Sequence, residues 1–446
     1  MPARVAVTHG PLPTHDAARG ADLLIAWEGD RANVSADLSA LRCSGGHCPL
    51  SPAAQDLLDL AVALYAADIA VRRGERESWP REIDLAMPVR EPELWAEARD
   101  DLHRLIYELS RDSFRLHFSP GECVPTPAGE TARPQADIEP DCVSMLSGGL
   151  DSLAGAVVLQ EAGRRPLYSL HRSGNPAVRA AQESVLAAIE AHWPGRSAAL
   201  PCTVEPDPRG GAALPYPPAE EREPSRRLRS LLFMALALVT AEAAGVDEVY
   251  MPENGVLTAG LPLAASRAGS MSTHSTHPAA LELMNAIAGR AGLRGRLLNP
   301  FVYQTKAELI RDVLAPRLSI AEIQCTVSCW AVGRANRPCG GCIPCLLRQL
   351  GMVWAELPAE AHLLDLLTRP DDYVGTDAYG NLVDVLRQAE QTSRRTEAEI
   401  VASQPELLSL HSAGLDVGEV VAMLKHHADQ TLTVVERRYP AAARLI

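Results

Sequence analysis

Ser147-Gly148-Gly149-Leu150-Asp151-Ser152 stands between the apolar run Val143–Leu146 and the helix-like run Leu153–Ala162. At a strand-to-helix turn, two glycines let the backbone approach an anion, and the free N–H groups at the helix start attract it. Ser147 and Ser152 add hydroxyl donors. Asp151 would repel phosphates unless a cation lies between, so it reads as a helix-cap and Mg²⁺-shell residue. The alternative is a capped turn without a ligand. The loop lacks the lysine of a Walker loop and the third glycine of a dinucleotide fingerprint, so pyrophosphate binding by another loop type is the chemistry indicated.

Cys329, Cys339, Cys342 and Cys345 form a second group, with Gly340 and Gly341 permitting tight turns. Four thiolates complete a tetrahedral zinc shell and leave no open position for water, which points to a structural metal. Unliganded cytosolic thiols are the alternative. Lys306 is one of only two lysines, with Lys425, among 42 basic residues. A phosphate contact and a surface lysine are its two readings. Arg226, Arg227 and Arg229 open a helix, where cations oppose the dipole unless an anion sits there; Glu220, Glu221 and Glu223 could equally partner them. Glu253 and Asn254 follow an apolar run, at the strand end where open α/β sheets bind ligands. Arg267, Thr273, His274 and His277 come next and could line the same pocket, although loop histidines are commonly solvated. Cys43, His47 and Cys48 read as incidental.

The elements that must position these residues are legible as periodicities. Helical spacing covers Ala53–Val71 and Glu93–Leu109, and strand alternation covers Glu82–Val89 and Phe114–Phe118, which together give an α+β domain over residues 1–119. A Pro-, Gly- and acid-rich linker spans 120–140. Apolar runs at Cys142–Leu146, Pro166–Leu170, Ala198–Val204, Glu248–Met251 and Arg296–Leu298 then alternate with helical stretches Asp151–Ala162, Ala177–His192 and Ser225–Ala244. That order predicts an α/β domain with a parallel sheet over 141–320. Residues 205–224 read as a mobile loop, 321–350 as the cysteine segment and 351–446 as a helical C-terminal region.

At 446 residues with 47% hydrophobic and 22% charged content, the chain has the composition of a globular protein of two to four domains. Its net charge of −14 disfavours general nucleic-acid binding. No signal segment or apolar run of membrane-spanning length is present, so a cytoplasmic protein is expected.

SGGLDS resembles the PP-loop of ATP pyrophosphatases. Combined with SCW-x8-CGGCIPCLLR, it resembles the 7-cyano-7-deazaguanine synthase (QueC-like) family, over about residues 140–350. Thr305-Lys306-x-Glu308 after Asn299-Pro300, and Ser328 and Arg348 beside the cysteines, fit the same pattern. The resemblance implies a PP-loop fold and an enzyme that uses ATP and Mg²⁺, with a zinc site, to adenylate a deazaguanine carboxylate, the acceptor being ammonia in the short synthases. On that reading Gly148, Gly149 and Ser152 hold the departing pyrophosphate, with Leu150 in the same loop, and Arg227, Arg229 or Lys306 neutralises it. Asp151, Ser152, Lys306 and Arg227 would be catalytic, and Glu253, Asn254, Arg229, Thr273 and His277 would bind substrate. The family's acidic and cysteine positions after Asn254 are absent here. The N-terminal segment together with STHSTHP resembles longer QueC-like proteins of bacterial antiphage defence operons, which implies a protein partner as a possible acceptor. A non-enzymatic ATP-binding assembly module is the competing class.

Overall fold

The computed structural model describes residues 2–8, 20–27, 32–43, 50–74, 80–121, 138–206, 214–263, 274–332 and 337–446. Ten strands among them form two sheets: β1 (Ala3–Val7), β2 (Leu23–Ile25), β3 (Val34–Asp37), β4 (Glu82–Val89), β5 (Ser113–Pro120), β6 (Cys142–Met145), β7 (Pro166–His171), β8 (Ala198–Pro206), β9 (Glu248–Tyr250) and β10 (Arg296–Leu298). The smaller sheet has the order β2-β1-β4-β5 and pairs in parallel throughout. The larger has the order β10-β9-β6-β7-β8-β3, parallel except for β3, which runs antiparallel to β8 at the edge.

The five runs from 142 to 298 that read as strands are β6 to β10. The helix expected over Glu93–Leu109 is two, Pro92–Glu97 and Arg99–Ser110, with Ala98 between them. The helix expected from Ser225 begins at Arg229, because Arg226 takes a left-handed φ of 46°. Strands β1 to β3 carry too short a pattern for the period to reveal them.

Helix Pro52–Ala70 forms because Ser51 accepts from Ala54 N at 3.1 Å, Pro52 starts the first turn, and alanines and leucines fill the rest. Nearly all of it is buried, including Asp56, Asp59 and Asp68. Its Leu57 and Leu64 join Ile83 and Leu85 of the smaller sheet, Val143 and Val204 of the larger, and Leu232 and Leu236 of helix Arg229–Ala244 in one core. Segments 1–119 and 141–320, expected as separate domains, thus share their interior. The described part of the 205–224 loop is docked on this helix: Tyr216 donates to Ala66 O at 2.7 Å, and Glu223 N to Ile69 O at 2.9 Å.

The opposite face of the larger sheet packs helix Leu150–Glu161 against the turn of helix at Leu309–Leu314. A helical cluster built from Ile343–Trp354, Asp377–Arg394 and Val417–Arg438 meets Val256 and Ala259, just after Asn254. Among the described residues, no helix is long and apolar enough to cross a membrane.

Candidate active site

The loop leaves β6 at its carboxyl end. Gly148 has φ +80°, and a Cβ there would lie 2.9 Å from Gln182 N, so the conformation and the close approach both require glycine. Gly149 takes the N-cap position of helix Leu150–Glu161 without a side-chain cap. Asp151 therefore does not cap this helix, contrary to expectation. Ser147 Oγ accepts from Gly149 N at 3.2 Å and lies 3.2 Å from Ser152 Oγ, which donates to Gly149 O at 2.9 Å. Leu150 is buried and anchors the first turn in the core.

Asp151 faces Lys306. The ammonium donates to Oδ1 at 2.8 Å and Oδ2 at 2.9 Å, and Asn254 Nδ2 donates to Oδ2 at 2.9 Å. All three side chains are buried. Lys306 reaches this position from the first turn after Thr305, which forms a reciprocal cap with Glu308: Thr305 N donates to Glu308 Oε2 at 2.8 Å and Glu308 N to Thr305 Oγ1 at 3.2 Å. The cation at a helix start is unfavourable by itself, and the Asp151 carboxylate offsets it. Oδ1 retains a lone pair, so Asp151 fits a nucleotide-bound Mg²⁺ only as one shared ligand rather than as a free carboxylate.

Glu253 sits beside this pair. Asn299 fixes its backbone, accepting from Glu253 N at 3.2 Å and donating to Glu253 O at 2.8 Å. Its carboxylate accepts from Thr276 Oγ1 at 2.9 Å. Burial, and then the charge of Asp151, push the Glu253 carboxyl up to about 7. Gly155 lets the loop helix approach the same segment, since a Cβ there would lie 2.3 Å from Pro252 Cγ.

His277 is buried at the start of helix Pro278–Arg290, where Nδ1 accepts from Ala279 N at 3.3 Å. His274 stacks on it, with ring centroids 5.0 Å apart, and its Nδ1 lies 2.6 Å from Glu108 Oε1. Burial and then His274 lower His277 to about 4. Arg229 is exposed at its helix start, and the adjacent Ser230 hydroxyl lies 2.6 Å from that of Ser275. The Arg229 guanidinium lies over the Phe233 ring, 5.7 Å from its centroid, and makes no contact with Glu253 among the described residues. Thr273 and Arg267, and His47 and Cys48, lie outside the described residues.

Arg227 is not part of this arrangement. It is buried in a charged cluster with Arg73, Asp68, Asp112 and Glu223, and burial, then the charge of Arg73, lower it to about 10. Within that cluster Arg73 donates to both oxygens of Asp112 at 2.8 Å, Arg81 bridges Asp68 and Asp112, and Leu228 N donates to Asp68 Oδ2 at 2.9 Å. The arginine expected on pyrophosphate instead lies among the charges of Asp68 and Arg73 at the end of helix Pro52–Ala70, Asp112 before β5, and Glu223.

Behind the loop, Val327 N donates to Gly148 O at 2.9 Å. A cavity of about 370 Å³ opens here, bounded by Ala181, Thr326, Ser328, Cys329, Arg348 and Glu360; it is within the size range of small-ligand pockets. Arg348 donates to Thr326 Oγ1 at 2.6 Å and to the two oxygens of Glu360 at 2.7 Å each. On the far side, Cys329, Cys339, Cys342 and Cys345 place all four sulfurs within 4.8 Å of one another, with Cys339 and Cys345 3.9 Å apart. Thiolates about 2.3 Å from a tetrahedral zinc are about 3.8 Å apart, so this donor set fits zinc. Backbone N–H groups of Ala331 and Cys339 already donate to Cys329 Sγ, each at 3.3 Å.

Glu108, Thr258 and Thr276 were not evident from the sequence. The two threonine hydroxyls lie 3.2 Å apart beneath Glu253. Glu108 belongs to an amphipathic helix 166 positions from His274, and nothing in its spacing marks it.

Residues 224–356 match the family described as Queuosine biosynthesis protein QueC. A 7-cyano-7-deazaguanine synthase of Xanthomonas axonopodis pv. citri (strain 306) is 30% identical over 237 residues, covering 49% of this chain and 96% of the relative. The synthase of Xanthomonas campestris pv. campestris (strain B100) is 29% identical over 240 residues, with 49% and 96% covered. That of Aromatoleum aromaticum (strain DSM 19018 / LMG 30748 / EbN1) is 28% identical over 236 residues, with 48% and 94% covered.

Proposed function

Because the chain belongs to the QueC family, we propose that it is an ATP-dependent ligase that adenylates the carboxylate of 7-carboxy-7-deazaguanine and transfers the acyl group to a nitrogen. The observation that carries this reading is the buried contact of Lys306 and Asn254 with Asp151 at the glycine loop. A carboxylate is a poor acyl donor because its oxide leaves badly. Attack of a carboxylate oxygen on the α-phosphorus of ATP breaks the bond to the bridging oxygen, releases pyrophosphate and forms an acyl-adenylate.

In this reading the N–H groups of Gly148, Gly149 and Leu150 and the hydroxyls of Ser147 and Ser152 receive the departing pyrophosphate, while Lys306 adds positive charge. Mg²⁺, when bound with the nucleotide, neutralises phosphate charge, and Asp151 would share in holding it. The cavity behind the loop has room for the bicyclic base. An amine then attacks the acyl carbon, the C–O bond to AMP breaks, and AMP leaves with the electron pair. The proton lost by nitrogen passes to ionised Glu253, whose carboxyl titrates near 7, where a general base is effective. With ammonia the product is an amide. Adenylation of that amide oxygen, followed by loss of AMP and protons, yields the nitrile named in the relatives. The four cysteines would hold zinc in a structural role.

A protein amine is the acceptor we favour, in a defence setting. The support is that about half of the chain lies outside the match to these relatives, and that Glu108, outside the family match at 224–356, contacts His274 within it. A recognition surface has no use for ammonia but could hold a partner at high effective concentration. Pyrophosphate release by purified protein given ATP and 7-carboxy-7-deazaguanine tests the activity. Release above the ATP-only background is expected; its absence would remove adenylation of this carboxylate.

A further inference from the structure

We propose that Glu108, His274 and His277 form a second metal site, distinct from the four cysteines and suited to a borderline divalent cation such as Zn²⁺. One potential ligand atom from each of the three lies within 4.8 Å of the others. Glu108 Oε1 is 2.6 Å from His274 Nδ1 and 3.7 Å from His277 Nδ1. Ligands about 2.0 to 2.1 Å from a tetrahedral zinc lie about 3.3 Å apart, a value between these two distances. Shifts of well under about 1 Å would bring all three onto one ion. Both imidazoles are buried, at 9% and 2% exposure, so neither is a solvated loop side chain.

A simple ion pair does not account for the arrangement. One histidine suffices to pair Glu108, yet a second ring faces the same oxygen and stacks on the first. A shared cation accounts for two nitrogens converging on one carboxylate oxygen, and binding it would replace the long hydrogen bond, 3.3 Å, that His277 Nδ1 now accepts from Ala279 N. Arg111 donates to the other oxygen of Glu108 at 2.9 Å, orienting the carboxylate as outer-shell partners of metal ligands commonly do. Two imidazoles with a single carboxylate favour zinc-like ions over Mg²⁺ or Ca²⁺, which take oxygen-rich shells.

The site would join helix Arg99–Ser110 to the turn before helix Pro278–Arg290. Thr276, which donates to Glu253, lies between the two histidines in sequence. Metal binding would therefore fix the turn that positions the Glu253 carboxylate.

Full-length protein, stripped with chelator and titrated with Co²⁺, tests the assignment. Wild type should bind two equivalents, only one of them with thiolate charge-transfer bands. His277→Ala should lose the equivalent without these bands, and Cys342→Ser should lose the bands. Glu108→Gln, which keeps the side-chain shape, should weaken the thiolate-free equivalent by about 10-fold or more. A single equivalent in wild type would overturn the proposal without recourse to any variant. Retention of both equivalents at unchanged affinity in Glu108→Gln would also overturn it.

Discussion

Lys306 reaches across 155 positions of chain to donate to both oxygens of Asp151, at 2.8 and 2.9 Å, in a site where both side chains are buried. This pair makes the choice of substitution decisive. Asp151→Ala removes the carboxylate and leaves a buried ammonium, which should cost about 3 to 5 kcal/mol of stability. Asp151→Asn keeps the shape and the contact with Asn254 while removing the charge. It should lower pyrophosphate release by about 10² to 10³ with a smaller loss of stability. Urea unfolding and initial rates, measured on both variants, check the ordering. Equal rates for Asp151→Asn and wild type would separate the pair from catalysis.

Cys342→Ser should lose bound zinc and stability together. A loss of about 3 kcal/mol or more is expected, a fraction of the roughly 10 to 16 kcal/mol that structural zinc gives small peptides. Elemental analysis alongside thermal unfolding is the check. Folded wild-type protein without zinc would contradict the assignment.

Glu253 should make stability fall as pH rises. Its folded carboxyl titrates near 7, above the ordinary 4.5, so the folded state binds the proton more tightly. Below about pH 4.5 there is no penalty; ionisation costs progressively more up to about pH 7 and is complete above it. Glu253→Gln should therefore gain stability relative to wild type between pH 5 and 8, by up to about 3 kcal/mol at 1.36 kcal/mol per pH unit. Urea titrations across that range measure it, and a constant difference would contradict the burial argument.

Arg81 and Arg227 share one buried cluster but should respond differently. The carboxylates of Asp68 and Asp112 hold the Arg81 guanidinium above its ordinary range, against the opposing effect of burial, which is the largest single influence. Burial and Arg73 weaken the charged form of Arg227. Arg81→Met should cost about 3 to 5 kcal/mol, and Arg227→Met distinctly less. Unfolding free energies in the reverse order would refute this.

The acceptor can be read from mass. If the acyl group goes to a protein amine, products of neighbouring genes coexpressed with wild type should carry a deazaguanine-sized adduct that is missing with Asp151→Asn. Free nitrile with unmodified neighbours would return the reaction to ammonia.

The strands and helices around the loop were legible because buried parallel strands are continuous apolar runs and the glycine loop has a fixed place between strand and helix. The four cysteines were legible from spacing alone. Arg227 was misread because a cation before a helix suggests an anion whether the anion is a ligand or a buried acid, and only the fold supplies Asp68 and Asp112. Glu108 and Thr276 were illegible for a related reason. Their roles depend on contacts between segments far apart in sequence, which local periodicity cannot carry.

The edge position of β3 has a consequence for synthesis. Its partner β8 is translated roughly 170 residues later, which takes about 10 to 30 s at ordinary elongation rates. During that interval helix Pro52–Ala70, apolar on nearly every side, has neither β8 nor helix Arg229–Ala244 to cover it. Until the larger sheet emerges, the smaller sheet alone covers part of this helix, and shielding of the rest by chaperones or the ribosome surface is the expected consequence. Expression of this chain should accordingly be more sensitive to translation rate and chaperone supply than that of its shorter relatives.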